Sequence, residues 1–249
     1  MNGNALSTPV VHANADLFAL LKSALPATLP EGTLLAITSK IVALAEGSVA
    51  EKKTGGRVEK HRLVMQEADA YIPAQYSQYG VMLTIKDSVL AVNAGIDESN
   101  ADGTYVLWPK DSFAVAEKVW EWLKTEYGLR QRGVIITDSK TIPLRWGTIG
   151  TCLAYCGFKP LINKIGEKDL FGHEMQMTQV NVAEALAVTA VVLMGEVAES
   201  TPLALLHDIP QVVFTTEPPT EAEKESLCIS LEDDVYSPLL TSAPWKKKK

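Results

Sequence analysis

Apolar positions along this chain follow two rhythms, one helical and one extended. Leu17, Leu20 and Leu21 recur at helical spacing behind Asn14 and Asp16, two good capping residues, and Pro26 and Pro30 close that helix. Thr33 to Thr38 (TLLAIT) is an unbroken apolar run and reads as a buried strand. SKIVALAEG, Ser39 to Gly47, follows as a short helical or turn segment. Glu51 to Arg57 (EKKTGGR) is polar and Gly-rich, which predicts an exposed loop. The stretch from Val58 to Ala70 is compatible with a helix. Val81 to Ile85 and Ser88 to Val92 read as two strands of a hairpin joined at Lys86-Asp87. Thr104 to Trp108 is a further strand.

The second half is patterned more strongly. Asp111 caps an amphipathic helix whose face carries Phe113, Ala116, Trp120, Leu123 and Tyr127, and Gly128 stops it. Trp120 on that face reads as core. Gly133 to Thr137 (GVIIT) is the clearest buried strand, and it delivers Asp138 at its end. Thr178 to Met194 is a long apolar helix ending at Gly195-Glu196. Gln211 to Thr215 reads as a late strand and Glu221 to Leu227 as a short helix. No internal repeat is visible. Strands and helices intermix without strict alternation, which predicts an α+β or mixed α/β fold.

Composition narrows the class. The 249 residues are 47% hydrophobic, enough for one large domain or two small ones. A net charge of -7 argues against a nucleic-acid backbone as partner, while metals and local basic residues still allow anionic ligands. The three cysteines form no disulfide framework, and Cys152 and Cys156 read as small buried residues without a zinc site. No apolar run reaches the roughly 18 residues of a membrane span. The N-terminus lacks the order of a signal peptide, so no membrane contact and a cytoplasmic location are expected. Lys246 to Lys249 read as a solvated basic tail behind one domain, residues 1–245.

Three acidic residues share a context. Asp97 in NAGIDESN and Asp138 in ITDS follow apolar strands, and Glu196 in LMGE follows the long helix. Hard cations such as magnesium and manganese prefer oxygen ligands, and carboxylates on rigid elements supply them. Spacing alone does not bring the three together. No G-x-x-x-x-G-K-[ST] and no strand-linked G-x-G-x-x-G is present, so neither familiar phosphate cradle is in use. His12, His61, His173 and His207 are scattered, and apart from His173 they read as surface or structural residues.

Five segments in order give the chain a resemblance. SKIVALAEG, NAGIDESN, GVIITDS, DLFGHE (Asp169 to Glu174) and LMGEVAESTP (Leu193 to Pro202) are similar to those of the coenzyme F420-0:glutamate gamma-ligase family, over about residues 8 to 215. The resemblance implies a two-part α/β monomer in an intertwined homodimer. It implies a reaction in which an acceptor carboxylate attacks the terminal phosphate of GTP and the amine of L-glutamate then displaces phosphate from the acyl phosphate. By resemblance Asp97, Asp138, Ser139 and Glu196 are ligands of Mg2+ or Mn2+, two ions, with K+ as a further option. Ser39, Lys40, Asn100, Met194, Gly195, Val197, Ala198, Glu199, Ser200 and Thr201 become nucleotide contacts. Arg145 and His173 become candidate contacts to substrate or phosphate.

The chain also departs from the family pattern. Leu44 and Ser48 stand where the family has a lysine and an arginine, and His173 replaces an arginine. The departures leave the acceptor open between F420-0, a folate-type acceptor and others. They also leave a second class open, a non-catalytic nucleotide- or metabolite-binding protein.

Overall fold

The computed structural model describes residues 1–101 and 103–248. It is mixed α/β. The larger part is built on a five-stranded sheet in the order β1 (Asn2–Leu6), β12 (Leu203–His207), β2 (Thr33–Thr38), β8 (Arg132–Thr141), β9 (Thr148–Cys156). Only β2 and β8 are parallel, with Thr33 opposite Arg132 and Thr38 opposite Thr137. Both carry continuous apolar runs because both faces of the sheet are covered. Leu35, Ile37, Val134 and Ile136 pack against α1 (Leu17–Ala24), α2 (Ser39–Ala45) and α4 (Ser112–Tyr127). Leu34, Ala36 and Ile135 point the other way, against α5 (Val182–Met194).

The smaller part has a four-stranded sheet in the order β13 (Lys246–Lys247), β4 (Ala70–Ile72), β5 (Leu83–Lys86), β6 (Val89–Val92). Helix α3 (Arg57–Glu67) covers it, with Val64, Ala68, Met82, Ala94, Ile96 and Tyr105 as its core. Two strand pairs complete the chain: β3 (Val49–Glu51) with β7 (Thr104–Val106), and β10 (Leu161–Asn163) with β11 (Gln179–Asn181). Two short helices, α6 (Glu221–Glu225) and α7 (Ser237–Leu240), lie near the C-terminus.

Local chemistry explains most boundaries. Asp16 accepts from Phe18 and Ala19 amides and starts α1. Asp111 accepts from Ala114 N at 2.8 Å and starts α4, and Gly128, at φ +69°, ends it. Trp120 is core, as its helical face predicts, and donates to Arg132 O at 3.1 Å. The hairpin turns at Asp87-Ser88, one residue later than its sequence suggests. Both residues have positive φ, the geometry of a two-residue hairpin turn.

Other boundaries differ from the sequence pattern. Strand β8 does not end at Thr137: it passes a bulge between Ile136 and Thr137 and continues to Thr141. The segment Gln211–Thr215 is not a strand; only Phe214 bridges Phe158, and the late strand is β12 just before it. Helix α5 begins at Val182, because Asn181 caps it by accepting from Glu184 N at 3.0 Å, and Gln179–Asn181 pair with β10. Helix α3 begins at Arg57 and stops at Glu67, so Ala70 opens β4 instead. Lys246 and Lys247 keep exposed side chains but pair with Tyr71 and Ala70; Lys249 of the basic tail lies outside the described residues.

Candidate functional site

A cavity of about 800 Å³ opens at one end of the large sheet, where it meets the loop behind β6. It is walled by Thr38–Lys40 at the start of α2, by Asp97–Asn100, by Thr137–Ser139 of β8 and by the loop 194–202 behind α5. Asp97, Asp138, Ser139 and Glu196 all line it. So do Ser39, Lys40, Asn100, Met194, Gly195, Val197, Ala198, Glu199, Ser200 and Thr201. Ser39 and Met194, 155 positions apart in sequence, thus share one cavity with the carboxylates because β12, β2 and β8 are neighbours in the sheet.

Each carboxylate is engaged by a protein donor. Asp97 Oδ1 accepts from the amides of Glu98 and Ser99 at 2.6 and 2.9 Å, which folds the loop around it. Its Oδ2 lies 2.5 Å from Lys40 Nζ. Burial pushes this carboxyl up, but Lys40 and the Ser99 amide outweigh it and hold Asp97 below the ordinary range. Asp138 accepts from Ser139 N at 2.8 Å and from the indole N–H of Trp108. It keeps an edge open to the cavity, yet the protein packed around it pushes its carboxyl up to about 6, with the negative charge of Asp97 adding to the effect. Ser139 Oγ lies 2.9 and 3.0 Å from the two carboxylate oxygens of Glu196.

The donor set is all oxygen: three carboxylates and a hydroxyl, the chemistry that hard divalent cations take. Among the described residues, no three acidic, His or Cys side chains converge tightly enough to hold one ion as they stand. Their present partners explain this: Lys40, Trp108 and Ser139 each occupy an oxygen an ion would use.

The loop behind α5 wraps around a carboxylate of its own, that of Glu199. Gly195, at φ +81°, lets the chain turn so closely that a Cβ there would come within 2.5 Å of Glu199. Backbone amides of this loop, first that of Val197 at 2.8 Å, point at the Glu199 carboxylate and hold it below the ordinary range. Asn100 ties the loop to the opposite wall by donating to Val197 O at 2.7 Å, and Thr8 N donates to Ser200 O at 2.9 Å.

Some placements differ from the sequence reading. Arg145 and His173 do not line the cavity. Arg145 sits in the connection beyond β8 and bonds Leu144 O, and His173 is 80% exposed beside Asp169. Leu44, where a phosphate-binding lysine was expected, is buried and lines the cavity, while Ser48 is buried away from it beside Glu46. Thr8 to His12 form a wall that the sequence pattern did not mark. Trp108 was also missed as a partner of Asp138. Gly95 beside it was a usable signal: a Cβ there would collide with the indole, and its φ is +69°.

A half-open cleft that gathers carboxylates, an ammonium and loop amides has the chemistry of a small-molecule site. The chain belongs to the F420-0:Gamma-glutamyl ligase family, whose profile matches residues 5–208. Among its relatives, the Coenzyme F420:L-glutamate ligase of Methanosarcina barkeri is 33% identical, over 80% of this chain and 82% of the relative. The protein of the same name from Methanothermobacter thermautotrophicus is 30% identical, over 81% of this chain and 86% of the relative. That of Methanococcus maripaludis strain C6 is 28% identical over 93% and 95%. The chain is an enzyme of the amide-bond-forming ligase class. No helix among the described residues is long and apolar enough to cross a membrane.

Proposed function

We propose that this protein joins L-glutamate through an amide to a carboxylate-bearing small molecule, coenzyme F420-0 or a related acceptor, at the expense of GTP. The observation that carries the reading is the single cavity shared by Asp97, Asp138, Ser139, Glu196 and the amide-lined loop 195–201. The names of the relatives support gamma-glutamyl ligation in F420 formation.

A free carboxylate is a poor electrophile, so the acceptor must first be activated. Its carboxylate attacks the terminal phosphate of GTP, GDP leaves, and the acyl phosphate forms. The glutamate amine then attacks the acyl carbon, loses a proton, and phosphate departs. Asp97, Asp138, Glu196 and Ser139 would hold two Mg2+ or Mn2+ ions, which when bound screen the charge of the reacting anions. Lys40 neutralises Asp97 and offers its ammonium to nucleotide phosphate from the same wall. The amides that now face Glu199 suit phosphate oxygens, because such backbone nests bind anions of that size. Asn100 holds that loop in place.

The reading includes a homodimer. Leu144, Trp146, Leu170, Phe171 and Met177 are each at least 85% exposed, on segments that also carry Arg145 and His173. Side chains of that kind are covered in a stable assembly. A second copy is also the nearest source of cover for two arms extending from the same fold.

The test is mass spectrometry of F420-0 and of a folate incubated with L-glutamate, Mn2+ and either GTP or ATP. Addition of glutamate to F420-0 with GTP is expected. No addition to either acceptor removes the reading. One observation favours a second reading: Leu44 leaves that part of the wall without a cation. A non-catalytic nucleotide-binding protein would bind GTP in calorimetry and release no phosphate when glutamate and acceptor are added.

A further inference from the structure

Among the described residues, the cavity is lined by four carboxylates, Asp97, Asp138, Glu196 and Glu199, and by one lysine, Lys40. The Lys40 ammonium is held by three oxygens of one short loop. Asp97 Oδ2 lies 2.5 Å from Nζ, Ser99 O at 3.0 Å and Ser99 Oγ at 3.2 Å. The loop is folded for this contact, because Asp97 Oδ1 is taken by the amides of Glu98 and Ser99 and Oδ2 is left to face the charge. A carboxylate, a carbonyl and a hydroxyl oxygen around one positive charge are the surroundings that a hard cation takes. The ammonium thus sits where a cation is bound, and it is supplied by the chain itself.

Two demands on this lysine conflict. A divalent ion on Asp97 repels an ammonium on the same carboxylate. A nucleoside triphosphate is a polyanion, and the wall it meets carries four carboxylates for one ammonium. One lysine cannot neutralise Asp97 and the phosphates together. It can serve them in turn. Lys40 is the second residue of α2, so its backbone is fixed, while its four-carbon stem is flexible. The side chains of Lys40 and Asp97 are 27% and 42% exposed, so the pair is open to exchange from the cavity.

We propose that Lys40 is an exchangeable cation: it neutralises Asp97 until a divalent ion binds there, and it then turns to the nucleotide phosphates, so that metal binding releases the positive charge that the nucleotide needs. This rests on the reading of Asp97 as a metal ligand and of the cavity as a nucleotide site.

The direct test is trace acetylation of the full-length chain with acetic anhydride, read by peptide mass spectrometry with the other lysines as internal standard. Labelling of Lys40 is expected to be low without metal, to rise several-fold with Mn2+, and to fall again when GTP is added to the Mn2+-loaded chain. Asp97→Asn is expected to leave Lys40 readily labelled without metal and unresponsive to Mn2+. Calorimetry supplies the second readout. Lys40→Met keeps the aliphatic stem and is expected to tighten Mn2+ binding roughly fivefold, the upper end for a partly exposed ion pair. The same variant is expected to weaken GTP binding at saturating Mn2+ by roughly tenfold, the scale of one charge-assisted hydrogen bond. Opposite signs for ion and nucleotide are the mark of exchange, since a purely structural pair loses both. Mn2+ binding that leaves Lys40 labelling unchanged overturns the proposal and leaves the metal reading standing. Weaker Mn2+ binding or unchanged GTP binding in Lys40→Met also overturns it. A wild-type chain that binds no Mn2+ overturns it together with the metal reading. A chain that shows the whole pattern but adds glutamate to no acceptor overturns the ligase reading alone.

Discussion

Strands β8 and β9 pass through two environments. From Arg132 to Thr137 every residue of β8 is buried, sealed by α4 on one face and α5 on the other. Past the bulge the same strand alternates, and in the connection beyond it Leu144 and Trp146 are each 94% exposed. Asp138 is the first residue of the outer half. The comparison shows how a rigid carboxylate gains access. The inner half fixes the backbone, the extra residue Leu153 of β9 takes up the change of register on the partner strand, and the outer half leaves the cavity open. Farther out, the connection gives up packing within its own chain, and Leu144 and Trp146 are left on the surface.

The largest expected effect breaks the comparison at its boundary. Asp138→Asn is nearly isosteric and keeps the Ser139 and Trp108 contacts possible. It is expected to abolish metal-dependent ligation while far-UV circular dichroism and melting show an intact fold. Full activity of this variant would remove Asp138 from the site. Next in size is Trp108→Phe, which takes away the indole donor and little else. Outer partners of metal ligands contribute about 10–100-fold in affinity or activity. Titration of Mn2+ against the variant should show a loss of that order, and unchanged affinity would make Trp108 a packing residue only. Third, a Leu144→Asp, Trp146→Asp double variant acts on the outer half alone. Light scattering should report the loss of the dimer, with the fold of each chain retained. A wild-type chain that is already a monomer would refute the dimer, and a variant that stays dimeric would free this arm from the interface.

The inner and outer halves also differ in how legible they were. TLLAIT and GVIIT are buried on both faces, so their unbroken apolar runs announce strands, and the cap at Asp111 and the stop at Gly128 announce α4. Strand β9 announces nothing. Its buried stretch mixes Gly150, Thr151, Cys152, Ala154 and Tyr155; Gly150, Cys152 and Tyr155 lie under α5 and Ala154 on the α4 face, so both faces are buried and no polar-apolar alternation survives. Strand β12 hides in the same way, since LALLH is rich in residues of weak strand preference. At the site, motif resemblance found the residues on the walls, because those residues are local in sequence. It did not find Trp108 or the wall Thr8 to His12, whose roles arise only when distant segments meet. Arg145 and His173 were nominated by the same motifs, and the fold carries them away from the cavity of their own chain.

The smallest effect sharpens the comparison at the inner end of the hairpin. There, just beyond β9, Lys159 pairs with Glu223, and Tyr155 Oη donates to Glu223 O at 2.9 Å. Glu223 also closes the cap of α6 with Thr220, accepting from its amide at 2.9 Å and its hydroxyl at 3.0 Å. Lys159 first, then the Thr220 donors, lower its carboxyl to about 2. A carboxyl lowered on folding contributes stability above its unfolded value, and that contribution fades as pH falls toward the folded value. Glu223→Gln should therefore melt below wild type at neutral pH, with the gap closing between about pH 4.5 and pH 2. The carboxylate is largely solvated, so the difference should stay under about 1 kcal/mol. That corresponds to a shift of about 2–4 °C for a chain of this size. A gap that persists at pH 2 would mean that Tyr155 and the α6 backbone, not the charge, hold the inner end. A Glu223→Gln loss of ligation without a shift in melting would mean that the inner end is coupled to the cavity, and the two halves of the hairpin would then be one functional unit.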